Sequence, residues 1–435
     1  MKKNYSIRES VFIKDSLNNS FMLFKDNNEN LLFNKINIDN SSMIIDKDIM
    51  DFSATIDENN RLHLLYLNKS GELIYCTYSE NAWHKNLIGR LDIQSNMYKY
   101  LTLLIHKNTI NIFYATANII NLNLWTIEHI VKNIDNWQKH VVTNIFSDKT
   151  LDPFYIDQDE FGNIYLVYSG KESVHYNVYY LFFNTFNKKW APNPTKISSS
   201  FVDNILPYIF VDTQNNVHIL WYCSNNGEYL LKYKRFSSIG EDKFHWREIK
   251  LPKITGSNSH ALMLEKYNRL NILYAERNEI YNLVSNDHGN SWILEDKTSI
   301  VNHPLYLVQY YNLSLNRLRH KINHYYGSID KASISFYCDD FHEDLKEFNE
   351  FKAASLKGEK DSVKDDIKDS INLEEKENKA KSQAPKDELE KLKKDLVELK
   401  DQVKLIKKDI KLIKDKLQNI EERTKNRMGF LKIKK

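Results

Sequence analysis

Residues 57–83 read Asp57-Glu-Asn-Asn-Arg-Leu-His-Leu-Leu-Tyr-Leu-Asn-Lys-Ser-Gly-Glu-Leu-Ile-Tyr-Cys-Thr-Tyr-Ser-Glu-Asn-Ala-Trp83, and their pattern decides the fold. Leu62, Leu64 and Tyr66 alternate with His63 at the period of two that a strand imposes on its side chains. Asp57 to Asn60 before this run and Ser70-Gly71-Glu72 after it carry tight-turn chemistry. A second strand follows in Leu73–Tyr78, and Trp83 opens a third.

The same unit recurs along the chain. Copies of its opening begin at Asp15, Asp57, His106, Asp159, Asp212 and Lys266, with a weaker seventh at Ser314–Gly327. Asn226-Gly227-Glu228 repeats the hairpin signal, and a tryptophan follows in five copies, as Trp83, Trp137, Trp190, Trp246 and Trp292. Three to four antiparallel strands repeating every ~40–50 residues make the blades of a β-propeller. One blade leaves two apolar faces, so blades stack around an axis until the ring closes. Seven copies predict a mainly β, seven-bladed propeller over residues 1–340, with residues around Tyr5–Arg8 completing the last blade. Six blades plus an accessory strand pair is the alternative count.

In the sixth copy, Ser285-Asn286-Asp287-His288-Gly289-Asn290-Ser291-Trp292 resembles the Asp box of sialidase-type (BNR-repeat) β-propellers. The resemblance implies a structural turn from Ser285, Asp287, Gly289, Ser291 and Trp292: Asp287 bonds turn amides, Gly289 supplies an unusual backbone shape, and Trp292 packs between blades. Sialidases also need an arginine trio, a tyrosine–glutamate nucleophile pair and an acid Asp. Their early Arg-Ile-Pro motif is absent, since Arg8 sits in Ile7-Arg8-Glu9. Arg61, Arg269 and Arg317 share one repeat position, about a blade apart around the ring. No catalytic residue is therefore assigned, and a non-enzymatic protein is expected.

The unit from Asn60 to Trp83 is also similar to repeats of sugar-binding propeller lectins, in which aromatic rings stack on sugars. That resemblance nominates Trp221, Tyr222, Tyr168, Tyr274 and His218 as ligand-binding residues, with Arg61 and Arg269; inter-blade core is the other reading of the same rings. Asp157 with Asp159, and Asp339 with Asp340, are carboxylate pairs, and Asp is also the residue these turns use. No phosphate-cradling glycine loop, HExxH helix, GxSxG elbow or metal-spaced His/Cys cluster occurs, so neither cofactor nor metal is expected.

Composition agrees with a strand-rich chain of 435 residues: Tyr (26) and Phe (21) outnumber Gly (11) and Pro (7). A net charge of +3 from 61 basic and 58 acidic residues sets up no global field that would attract nucleic acid. Three distant cysteines, Cys76, Cys223 and Cys338, form no disulfide framework. The polar start Met1-Lys2-Lys3-Asn4-Tyr5 is no signal peptide, and no run approaches the ~18 apolar residues of a membrane span. The expected location is the cytoplasm, or a surface layer reached without a secretory signal.

Beyond Phe341 aromatics nearly vanish. Residues 341–386 read as a charged linker, with Val363, Ile367 and Ile371 spaced as a short amphipathic helix. Over 387–424, Leu389, Leu392, Leu396, Leu399, Val403, Ile406, Ile410, Ile413, Leu417 and Ile420 alternate steps of three and four, the heptad seam of a coiled coil. Glu388–Lys393, Asp395–Lys400, Asp409–Lys414 and Lys416–Glu421 match charges between parallel helices. Isoleucine at the later d positions favours a homotrimer, with a homotetramer next. The basic tail 425–435 would meet an anionic surface, or stay solvated. The sequence thus predicts an oligomeric binding protein for glycan or protein ligands, clustered for avidity. A structural scaffold and a sialidase-like hydrolase are the alternatives.

Overall fold

The computed structural model describes residues 5–36, 42–132, 137–199, 201–225, 228–238, 243–253, 255–256, 260–276, 279–300, 305–313, 320–330 and 333–337. By its contacts the chain divides into two units, Met1–Asp344 and Leu345–Lys435, and every described residue lies in the first. The linker, the coiled-coil positions from Leu389 to Ile420 and the basic tail lie outside the described residues. So do Arg317, Cys338, Asp339, Asp340 and the Asn226-Gly227 turn.

The described chain is a β-propeller of six sheets. Blade one contains Tyr5–Lys14, Ser20–Lys25, Leu31–Ile36 and Met43–Asp46; blade two contains Ile49–Ile56, Leu62–Asn68, Glu72–Ser79 and Ala82–Arg90. Blade three is built from Asn96–His106, Thr109–Asn118, Leu124–Lys132 and Trp137–Phe146. Blade four uses Tyr155–Gln158, Ile164–Glu172 and His175–Asn184, with Lys189–Trp190 and Thr195–Lys196 on its outer edge. In blade five Asn204–Val211, Val217–Asn225 and Glu228–Phe236 carry the outer pieces Trp246–Glu248 and Thr255–Gly256. Blade six runs Leu262–Lys266, Arg269–Glu276, Glu279–Ser285 and Ile293–Ser299. The first strand of each is innermost, and the inner strands of blades one to three and of blades four to six pack on one another in succession.

The expected seventh blade is corrected by this topology. The seventh copy is divided between two neighbours: Leu305–Asn312, His324–Asp330 and Ser333–Phe336 join blade one in a single seven-stranded sheet, while Lys321–Ile322 pairs with the inner strand of blade six. The join is a parallel pairing of Leu305–Asn312 with Tyr5–Lys14, in which Tyr5, Ser6 and Ile7 face Leu305, Tyr306 and Leu307. Inner strands of a propeller all run the same way, so two of them can pair directly if no blade face is packed between them. Among the described residues the closing segment adds its strands Leu305–Asn312, His324–Asp330 and Ser333–Phe336 to the sheet of blade one and forms no separate sheet.

The turns explain why the repeat is legible. After four of the six inner strands an aspartate closes a five-residue turn: Oδ1 of Asp15 accepts the amides of Leu17 and Asn19, both at 2.8 Å, and Oδ2 accepts Asn19 Nδ2. Asp159 and Asp212 repeat this arrangement with Asn163 and Asn216. Asp57 does so with the amides of Asn59 and Arg61. The fourth residue takes a left-handed φ, 67° at Asn18, 61° at Asn60, 80° at Gly162 and 63° at Asn215, which Asn and Gly tolerate best. Blades three and six, which have His106 and Lys266 instead of Asp, turn in two residues, and Lys107, Tyr267 and Asn268 carry the positive φ.

The core lies between blades. One cluster joins blades one and two, a second blades two and three, a third blades three and four, and a fourth spans blades four to six and the closing strands. Tryptophans act as wedges at these seams. Trp83 packs 5.3 Å from Phe33, Trp190 6.1 Å from Phe113, Trp246 5.1 Å from Tyr180, and Trp292 5.4 Å from Tyr233, each on the preceding blade. Trp137, the fifth, stays 36% exposed under Lys132.

Candidate functional site

Inner strands of a propeller have one edge that their own blade leaves unpaired, and buried amides there need partners. Side chains of neighbouring inner strands supply them. Asp51 Oδ2 accepts the amide of Leu101 at 2.8 Å, and Ser53 Oγ that of Leu103 at 3.0 Å. Asp157 Oδ2 accepts Val211 N at 2.6 Å, and Glu265 takes both the amide and the hydroxyl of Thr213. These acids hold the ring together.

Within the ring lies a cavity of about 730 Å³, walled by inner strands and opening among the turns that follow them. Blade two contributes Thr55 and Glu58, blade three Thr102 and His106, and blade four Tyr155 and Asp157 to Glu160. Blade five adds Asp212 to Asn215, and the closing segment adds Gln309, Tyr311 and His320 to His324. Lys321 reaches across the axis: Nζ stands 2.9 Å from Asp157 Oδ1 and 3.0 Å from the carbonyl of Gln158, over the Phe210 ring. Its strand is paired to blade six, so this ammonium ties blades four and six together.

The buried carboxylates of the wall are fully engaged. Asp159 accepts the Tyr165 hydroxyl as well as its turn donors. Asp212 faces His218 Nε2 at 3.1 Å, and His218 Nδ1 meets Tyr233 Oη at 2.7 Å. Burial pushes the Asp212 carboxyl up, but the His218 and Asn216 hydrogen bonds overcome that and hold it below its ordinary value. Burial holds the His218 imidazole down against the pull of Asp212. Blade two repeats the relay with Asp57, His63 and Tyr75. His106 is also lowered, by burial first and Lys107 second, with Glu58 and Asp159 opposing. Glu265 is raised by burial, but it is wholly enclosed and outside the cavity wall.

The nominated aromatic residues are placed elsewhere. Trp221, Tyr222, Tyr168, Tyr274 and His218 are buried in the blades, and none lines the cavity. Trp221 donates from Nε1 to Asn204 Oδ1 at 2.9 Å, and Tyr274 stacks on Tyr281 with centroids 4.9 Å apart. Arg61 is exposed beside its turn, Arg269 pairs with Glu295, and among the described residues no arginine lines the cavity. Among the described residues no group of three His, Cys, Asp or Glu is arranged to hold a metal. None of these residues forms a helix long and apolar enough to cross a membrane.

The Ser285–Trp292 turn is organised around Asp287. Asp287 Oδ1 accepts the amides of Asn290 and Ser291 and the Ser285 hydroxyl, and Oδ2 the Ser291 hydroxyl. The turn also grips the neighbouring blade: Arg235 donates to Asn290 Oδ1 at 2.7 Å, and Gln214 Nε2 meets His288 Nε2 at 3.0 Å.

Sequence reasoning passed over Lys321, His106 and Gln309. The signal for the wall was the phase of the repeat, because residues two before each turn aspartate, such as Thr55 and Asp157, come from the inner strand. Lys321 carried no such signal, since its strand belongs to the divided seventh copy.

No family profile matches the chain, and no curated protein sequence does. Among solved structures, the SapL1 lectin in complex with α-methyl fucoside superposes with a TM-score of 0.40 at 11% identity, covering 69% of this chain and all of that one. The six-bladed fucose-recognising lectin of Aleuria aurantia gives 0.40 at 12%, covering 68% of this chain and 96% of the lectin. The Penicillium chrysogenum α-L-arabinanase bound to arabinobiose gives 0.38 at 10%, covering 61% and 83%. At such identities and scores, what those proteins bind or cleave says nothing about this chain's ligand.

Proposed function

We propose that this chain is a non-catalytic carbohydrate-binding propeller whose ligand sits in the axial cavity, and that its C-terminal coil clusters several such sites. One observation carries the reading: a polar cavity of about 730 Å³ whose buried acids are already spent on structure. Its wall offers Thr55, Thr102, Gln158, Gln214, Asn215 and Asn323 as hydroxyl and amide partners for a polyol. Tyr267, 46% exposed, stands with its ring 4.2 Å from that of His320 on the wall, which puts an aromatic ring beside the cavity. A glycosidase needs one carboxyl raised and free to donate and a second poised to attack or to activate water. Asp157, Asp159 and Asp212 instead accept three or more hydrogen bonds or ion pairs each.

The reading is tested by a glycan array on the full chain, followed by calorimetry on the hits and turnover assays with fluorogenic glycosides. Saturable binding without turnover supports it; turnover above background abolished by Asp157→Asn would replace it with a hydrolase. For the coil, light scattering is expected to give a trimer or tetramer for the full chain and a monomer for residues 1–340. Array signals should fall at least tenfold on that truncation, through lost avidity; a full chain that is monomeric at micromolar concentration would end the clustering half of the proposal.

A scaffold that docks a protein is the second reading. It is favoured by the blade-three hairpin, where Ile120 is 93% exposed and Ile119, Leu122, Leu124 and Phe146 are exposed around it.

A further inference from the structure

Blade four turns two phenylalanine rings to solvent at the edge of the cavity. Phe161, the third residue of the turn that begins at Asp159, is 66% exposed. Phe186, in the turn joining His175–Asn184 to Lys189–Trp190, is 93% exposed. The Asp159 turn does not need its ring: it uses only the Phe161 amide, at 2.9 Å. The equivalent residues Asn59 and Gln214 supply the same amide from polar side chains. Two large apolar rings on neighbouring turns are a surface that gains from being covered.

Hydrogen bonds join the two turns. The Thr185 hydroxyl donates to the carbonyl of Gly162, and the Thr185 amide donates to Asn163 Oδ1 at 3.1 Å. Phe161 and Phe186 therefore flank one bonded junction, and Asn163 is itself held by Asp159. On its inner side the junction meets the cavity. Glu160 and His106 line the wall, and Gly162, at a φ of +80°, packs so closely on His106 that a Cβ would stand 2.5 Å from the imidazole. On its outer side lies a hollow of about 390 Å³, lined by Phe182, Asn184, Asn187, Lys189, Trp190 and Ala191.

Cavity, phenylalanines and hollow thus follow one another outward along blade four. Its inner strand, Tyr155–Gln158, and its outer piece, Lys189–Trp190, are three strand spacings apart, or ~14 Å. That distance calls for a chain of sugars rather than a single ring. A phenylalanine offers a face and no hydrogen bond, so it packs on the C–H face of a pyranose, and the amides and lysine of the hollow suit hydroxyls. In β-1,4-linked gluco-configured sugars the ring substituents are equatorial, which leaves C–H groups on both faces for successive contacts. We infer that the Phe161 and Phe186 turns form a second subsite, which carries a β-1,4-linked gluco-configured chain outward from the axial cavity and selects chains longer than a disaccharide. This rests on the carbohydrate-binding reading above and adds chain length and direction to it.

Calorimetry on the full chain compares the disaccharide and the hexasaccharide of β-1,4-linked glucose, and the same pair of β-1,4-linked N-acetylglucosamine. In at least one series the hexasaccharide is expected to bind about tenfold or more tighter than the disaccharide. A Phe161→Ala/Phe186→Ala double variant, folded by circular dichroism and thermal unfolding, should lose that advantage and keep the disaccharide affinity within about twofold. Asn323→Ala, on the cavity wall, should weaken both lengths alike. Equal affinity for the two lengths in both series, or a length advantage untouched by the double variant, would overturn the inference; disaccharide binding weakened by Asn323→Ala would still uphold the axial site. A hexasaccharide that responds to the phenylalanine pair and not to Asn323→Ala keeps the second subsite and removes the axial cavity from the carbohydrate reading. If neither hexasaccharide binds, the inference is wrong, and the glycan array alone decides the carbohydrate reading.

Discussion

The seam between blades five and six and the outer edge of blade three start from the same sequence signal, a tryptophan opening the outer strand, and end in opposite environments. At the first, Trp292 is 7% exposed and meets Tyr233 edge-on, while the Tyr233 hydroxyl is held by His218 and His218 by Asp212. Gly289 completes the lock: its φ is +86°, and a Cβ there would lie 2.1 Å from the Tyr233 hydroxyl. At the second, Trp137 lies on the surface under Lys132, and the strand goes on to expose Val141 and Phe146. The repeat therefore fixes where a tryptophan stands on its own blade. Whether the ring is buried depends on what the preceding blade presents to it, and only four of the five seams present an aromatic partner.

Breaking the locked seam should have the largest effect. Trp292→Ala removes a buried ring and leaves a cavity, and it is expected to cost about 4 kcal/mol by chemical denaturation. Gly289→Ala follows at roughly 3 kcal/mol, because the new methyl must displace the Tyr233 hydroxyl from His218 in a backbone conformation that alanine resists. If Gly289→Ala unfolds with the wild-type midpoint, the lock described here does not exist.

The next effect depends on pH and lies at the seam of blades three and four. Trp190 Nε1 donates to His129 Nδ1 at 3.2 Å, so the ring's proton is on Nε2, facing Asn111 Oδ1 at 3.0 Å. Burial, with a smaller contribution from His140, pushes the His129 imidazole down to about 3. A second proton would have to face the indole N–H. The unfolded chain takes that proton near the ordinary value of about 6.5 and the folded chain only near 3. Stability is therefore complete above about pH 6.5 and falls as pH drops toward 3, by up to about 1.4 kcal/mol per pH unit from this residue. Denaturation midpoints measured from pH 7 to pH 4 should show the slope, and His129→Gln should flatten it. The smallest effect is expected at the open edge, where Trp137→Ala should cost less than about 1 kcal/mol. A loss as large as that of Trp292→Ala would mean that the exposed face of blade three is covered in the assembled protein.

The same contrast marks how far the fold and the site could be read from sequence. Asp15, Asp57, Asp159 and Asp212 announced their turns because an Asx turn is local: the carboxylate, the two amides it binds and the left-handed residue lie within five positions. The hydrogen bonds of the turn from Ser285 to Ser291 are local in the same way. The rings of Trp221, Tyr222, Tyr168 and Tyr274 carried equal weight in the sequence, but period two cannot separate a face turned to a ligand from a face turned to the next blade, since both are apolar and aromatic. In the structure all four rings are buried in the blades. His218 looked like a polar candidate on a strand, and the structure closes it between Asp212 and Tyr233.

The sequence by itself determined the strands, their turns, the repeat and the ring it implies, because each depends on residues a few positions apart. Only the tertiary structure decided the blade count and the site. The seventh copy is divided between blades one and six by a parallel pairing that joins Tyr5–Lys14 to Leu305–Asn312, partners about 300 residues apart. The cavity wall gathers Glu58, His106, Asp157, Asp212 and Lys321 from separate blades. Ring closure brings them together, and no local pattern records which side chains will face one another across the axis.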